Sequence, residues 1–176
     1  MLHVIAFQRL AIAIGDLYFV DPNPAPGQEG AERGVRLELR LAEAGELVAS
    51  IYSARPITVE RPVWRCDLLE SVDHPGSFDR THHHPHFNGW DPCPRKFGPE
   101  LSADPLGWLR AQLSEPDDLL AGTRVADEIP PADVDALRAA APEIVAITER
   151  LLAGVAGGTL GRAPATVGAA ERVSWL

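Results

Sequence analysis

Val35-Arg36-Leu37-Glu38-Leu39-Arg40-Leu41 alternates apolar and charged residues in a strict period of two. That is the pattern of a strand with one buried and one wet face. Glu43-Ala44-Gly45-Glu46 follows as a turn signal, and Leu47, Ala49 and Ile51 resume the alternation, which predicts a β-hairpin over residues 34–54. Ile57–Glu60 and Val63–Leu69 extend the strand-like region, but Pro56 and Pro62 flank the earlier piece. Proline cannot donate to a sheet ladder, so a bent edge strand or two short strands are expected there. Upstream, LHVIAFQRLAIAIGD (2–16) reads as a first strand or strand pair, and DPNPAPGQEG (21–30) as a turn-rich loop.

The second half reads as helix. Ser102 can cap a helix starting near Ala103, with Leu106, Leu109 and Leu113 on its buried stripe and Pro116 ending it. After Pro130 and Pro131, Val134, Leu137, Ala141, Ile144, Thr148 and Leu151 recur at steps of three and four. Pro142 is expected to kink or divide that helix. Residues 154–176 are glycine- and alanine-rich and read as a flexible tail, with Trp175 and Leu176 at its end. The expectation is therefore one α+β domain over residues 1–153. An antiparallel, hairpin-rich β-sheet (about 1–90) is packed by C-terminal α-helices (about 103–153).

Composition narrows the functional classes. The chain has 176 residues, 45% apolar, and a formal charge of −9, which argues against a broad electrostatic grip on nucleic acid. No apolar run is long enough to span a bilayer, and His3, Gln8 and Arg9 interrupt the N-terminal apolar stretch, so a cytoplasmic protein is expected. Fifteen arginines against a single lysine, Lys96, with abundant alanine, glycine and proline, fit a G+C-rich bacterial genome. Cys66 and Cys93 are too few for a disulfide framework and read as free buried thiols. Phosphate-cradling glycine motifs and the GxSxG elbow are missing from the sequence, so no nucleotide cofactor is suggested.

Chemistry concentrates between His74 and Trp90, which holds five of the six histidines. If Phe78–His84 is a strand, Phe78, Arg80, His82 and His84 share one face, and Asp79, Thr81 and His83 the other. A His-x-His pair on one strand sets two imidazoles where one divalent metal can bridge them, zinc being the first expectation. His86, His74, Asp79 and Cys93 are candidates for further ligands, and Asp67, Glu70 and Asp73 for orienting groups. Without a metal, His82 and His84 could act as base and acid in phosphodiester cleavage, with Arg80 stabilising the charged transition state. The pair is similar to that of cupins, but no histidine follows His86, so the second cupin motif has no counterpart.

The hairpin at 34–54, Asp67, His74-Pro75, Phe78 and His82-His83-His84 together resemble the TumE-type toxin proteins of bacterial toxin–antitoxin pairs over residues 34–87. The spacing around the cluster is shifted, and the helical region lies outside the match. The resemblance implies a sheet-based, toxin-like module working with a protein partner and leaves its activity open. Two functions compete at this level. One is a toxin-like nuclease using His82, His84 and Arg80, with nucleic acid only as substrate. The other is a non-catalytic binding or assembly module in which the cluster is a structural metal clip or plain surface, and partner contact, antitoxin-like or self-association, is the function.

Overall fold

The computed structural model describes residues 1–164. Its centre is a five-stranded antiparallel meander, ordered β1 (Leu2–Ala6), β2 (Leu10–Val20), β3 (Ala31–Ala44), β4 (Ile57–Ser71) and β5 (His82–His84). Helices α1 (Pro99–Ala103), α2 (Pro105–Ser114), α3 (Pro116–Ala121) and α4 (Pro131–Ala156) follow, and α4 packs on β2 and β3. The mixed α+β class expected from the sequence is the observed one.

The alternation in β3 decides the layering. Val35, Leu37, Leu39 and Leu41 join Leu10, Ile12 and Ile14 of β2 and Trp64, Cys66 and Leu68 of β4 in one core under the helices. Trp64 stacks on Trp108 of α2 with ring centroids 6.5 Å apart. Arg36, Glu38 and Arg40 occupy the opposite face, and there the expectation of a wet surface fails: Glu38 is 0% exposed and Arg40 only 7%. They are buried because they pair with one another and with β4, and because the chain after β5 folds back across them.

Several boundaries differ from the sequence reading. The partner of β3 is β4, paired from Glu32↔Ser71 to Ala44↔Ile57, so residues 45–56 form the connecting loop and the hairpin at 34–54 is not formed. Leu47, Ala49 and Ile51, which continue the alternation, stand exposed in that loop together with Val48 and Tyr52. Pro62 lies within one continuous β4. The ladder shifts register around Arg40, and β5 reaches only Arg65–Asp67, so proline meets no partner on its other side. At Gly34 (φ 154°) a Cβ would run into the Leu68 carbonyl oxygen, which lets β3 and β4 approach closely there.

The helix starts and stops are likewise redistributed. The side chain of Asp104, not Ser102, caps the helix carrying Leu109 and Leu113, accepting from the Gly107 N–H at 2.9 Å. Pro142 neither divides α4 nor breaks its run to Ala156. It sits on the solvent face, where the carbonyl it deprives of a partner can meet water. The helix passes the expected boundary at residue 153, and the Gly161 N–H donates to Asp16 at 2.9 Å, so the described part of the expected tail is tied to the sheet. Trp175 and Leu176 lie outside the described residues.

Candidate metal centre

The site grows from two cross-strand rows on the polar face of the sheet. One row reads Arg36–Asp67–His82 across β3, β4 and β5; the next reads Glu38–Arg65–His84. Because side chains alternate along a strand, Asp67 and Arg65 share a face with His82 and His84, while His83 points to the helical side. There the His83 ring lies 5.1 Å from that of Trp108, and burial lowers its pKa.

Asp67, His82 and His84 converge. One ligand atom from each lies within 4.8 Å of the others, and all three side chains are buried. His82 Nε2 stands 3.3 Å and His84 Nε2 3.9 Å from the same carboxylate oxygen, Asp67 Oδ2. The far side of each ring is anchored: His82 Nδ1–H donates to the Arg80 carbonyl at 2.8 Å, and His84 Nδ1–H to the Cys93 carbonyl. A carbonyl can only accept, so these bonds place a proton on Nδ1; in the neutral ring Nε2 is then the electron-pair donor, and in a protonated His82 it donates to Asp67. Two imidazole lone pairs and a carboxylate oxygen thus face one point, an arrangement that calls for a cation or a shared proton between them. Anchoring of the outer nitrogen by a carbonyl is the usual support of a metal-ligating histidine. This buried group can hold a metal ion.

The electrostatics agree. Burial alone would raise the Asp67 pKa, but the Arg36 guanidinium and the His82 ring outweigh it and hold the carboxyl far below the usual carboxylate range. Arg36 makes two bonds to it, Nε–Oδ1 at 2.6 Å and Nη2–Oδ2 at 3.2 Å. Burial, against the opposing pull of the Cys93 carbonyl and Asp67, pushes His84 down to about 4. His84 is therefore neutral near pH 7, suited to ligation and unsuited to serve as a general acid.

The other residues singled out from sequence are placed elsewhere. The strand expected over Phe78–His84 shortens to His82–His84, because Phe78 adopts φ 49°, outside strand geometry. Arg80 leaves the shared face and clamps the 21–30 loop, donating to the Gly27 carbonyl and, at 3.2 Å, to that of Glu29. His74 is exposed beside Asp79 (3.6 Å), which itself caps the Ser71 N–H at 2.8 Å. The His86 carbonyl accepts from the Cys93 N–H at 3.1 Å, and the His86 ring is not part of the convergent group. Cys66 and Cys93 are free and buried, as expected. Sequence reading undervalued Asp67 and missed Arg36, Glu38 and Arg65. The available signal was the equal spacing of Arg36/Glu38 and Arg65/Asp67, which becomes meaningful only once their register is known.

Compared with protein-family models, with curated proteins and with solved structures, the chain matches none. Among the described residues no helix is long and apolar enough to cross a membrane.

Proposed function

We propose that this chain is a cytoplasmic bacterial, toxin-like nuclease in which Asp67, His82 and His84 hold a divalent metal, zinc first, for phosphodiester hydrolysis. The observation that carries the reading is the convergence of both Nε2 atoms on Asp67 Oδ2 with both Nδ1 atoms anchored to carbonyls. Two histidines and a carboxylate form a ligand set that, in hydrolytic zinc sites, leaves a fourth position for water whose pKa the ion lowers. The same geometry speaks against metal-free acid–base catalysis by His82 and His84. Their free nitrogens point at a shared carboxylate rather than flanking a substrate, and His84 has no proton to give near neutrality.

Metal analysis of untagged protein tests the first half. One equivalent is expected in the wild type and none in the His82→Ala/His84→Ala double variant; metal surviving the double substitution sinks the site. Growth arrest on expression, lost in His84→Ala with the fold intact by circular dichroism, tests the second half. A protein partner that relieves that arrest belongs to the same reading.

One observation favours the non-catalytic rival. The side chains of Asp67, His82 and His84 are only 1%, 2% and 7% exposed, with Phe97 packed 5.5 Å from the His82 ring. A structural zinc clip would be this closed. It predicts that chelation unfolds the protein and that no phosphodiester is cleaved under any condition.

A further inference from the structure

The chain has two asparagines, and their neighbours give them opposite chemistry. Asn23 precedes Pro24, whose ring nitrogen carries no N–H and cannot attack the side chain before it. Asn88 precedes Gly89, whose backbone nitrogen is shielded by no side chain, and the space where a Cβ would stand holds no atom within 4 Å. Both residues are exposed at the tip of a hairpin of β6 (Phe87–Asn88) and β7 (Asp91–Pro92), paired as Phe87↔Pro92 and Asn88↔Asp91. Gly89 turns the chain at φ 64°, the left-handed region that glycine enters without strain. So short a ladder is marginal by itself, and its tip opens at little cost.

A cation sits on the amide. Asn88 Oδ1 accepts from Arg124 Nη1, which reaches across from the turn after α3. A charged donor on a carbonyl oxygen draws electrons from Cγ and stabilises the oxyanion that forms when a nucleophile adds there.

We propose that Asn88 is a self-modification site, deamidated by its own neighbour Gly89 with Arg124 as the oxyanion donor. The Gly89 nitrogen, once deprotonated, attacks Asn88 Cγ. The N–Cγ bond forms, the Cγ–Nδ2 bond breaks, and Nδ2 leaves as ammonia with the proton returned to it. Water then opens the cyclic imide, giving aspartate where the N–Cγ bond breaks and isoaspartate where the original peptide bond breaks. In the aspartate product the new carboxylate stands across from Asp91, a like-charge contact that the Arg124 guanidinium offsets.

The hairpin also belongs to the cover of the histidine centre. Just past β7, the Cys93 N–H donates to the His86 carbonyl at 3.1 Å, and the Cys93 carbonyl accepts from His84 Nδ1. Isoaspartate lengthens the β6 backbone by a methylene and displaces this strap. On the reading of Asp67, His82 and His84 as a metal site, isoaspartate at 88 therefore weakens zinc binding through the lost anchor of His84.

The test follows the full chain near neutral pH by intact mass and by peptide mapping that separates aspartate from isoaspartate. Residue 88 is expected to gain the mass of an amide-to-acid conversion, faster as the pH is raised, while Asn23 keeps its amide. Asn88→Gln, which lengthens the ring that must close, removes the gain. Arg124→Gln, shown to be folded by circular dichroism and its thermal midpoint, slows the conversion severalfold. Were Arg124 only a tether, its loss would loosen the hairpin and speed the reaction, so the sign of the change separates the two roles. An amide at 88 that persists for weeks, conversion of Asn23 at an equal rate, or an Arg124→Gln rate at or above wild type overturns the proposal. Zinc titration of the separated fractions is expected to show weaker binding by the isoaspartate form. Equal affinities strike the link to the centre, whereas zinc bound by neither fraction sinks the metal reading and leaves the modification standing.

Discussion

At Asp67 two demands meet, since its carboxylate both neutralises Arg36 and faces the Nε2 atoms of His82 and His84. Asp67→Asn retains an acceptor oxygen but removes the charge, so zinc affinity is expected to fall at least tenfold by titration against a chromogenic chelator. Stability is expected to drop by about 3 kcal/mol in urea, because Arg36 is left buried without its anion. Arg80→Met separates the roles assigned to that residue. Since Arg80 bonds loop carbonyls, its loss lowers the thermal midpoint while leaving zinc stoichiometry intact. Acid should destabilise the metal-free chain. His84 has an unfolded pKa near 6.5 and a folded value pushed down to about 4, so between those pH values the unfolded state binds a proton that the folded state refuses. Stability is full above pH ~6.5 and falls by on the order of 3 kcal/mol as the pH drops to ~4. The depressed Asp67 pKa continues the loss below that. Urea midpoints measured with chelator across this range check the sign, and His84→Asn should flatten the slope.

Among the elements, the β1–β2 turn and α4 are joined by one side chain. Asp133, buried in the first turn of α4, accepts from the backbone N–H groups of Gln8 (3.1 Å), Arg9 (2.7 Å) and Leu10 (2.9 Å). Asp133→Ala leaves three donors without a partner and is expected to cost about 2–4 kcal/mol in denaturant unfolding. Nothing in the sequence distinguishes this aspartate from the solvated acids around it, because its partners lie more than a hundred residues away. The periodicity of α4 was legible: Leu137, Ala141, Ile144, Thr148 and Leu151 are all buried. What the pattern could not convey is that Pro142 falls on the outer face, where it does not end the helix. Pro142→Ala restores the missing hydrogen bond, and thermal unfolding should show a gain of about 1–3 kcal/mol. β5 is the converse case. Three consecutive histidines carry no strand signal, and they form one because Arg65–Asp67 of β4 offers a free edge and the His83–Lys96 backbone bridge secures the other side.

For the whole molecule, a metal at the Asp67–His82–His84 centre would tie the edge strand β5 to its neighbour β4 and couple ligand binding to global stability. Zinc in hundredfold excess over its Kd is expected to stabilise the chain by about 2.7 kcal/mol, visible as a midpoint shift that chelator reverses and that is absent in His82→Ala/His84→Ala. Local periodicity determined the layered α+β class, the buried face of β3, the core stripe of α4 and the opposition of His82 and His84 to His83. Each of these follows from the pitch of a strand or helix, which neighbouring residues set among themselves. Tertiary structure alone decided that β3 pairs with β4 across a long loop, that Arg36 meets Asp67, and that Arg80 leaves the histidine pair for the 21–30 loop. It also decided that the charged side of β3 is an interior. Register and coverage are relations between segments far apart in the chain, and a charged residue looks the same in sequence whether water or a buried counter-charge satisfies it.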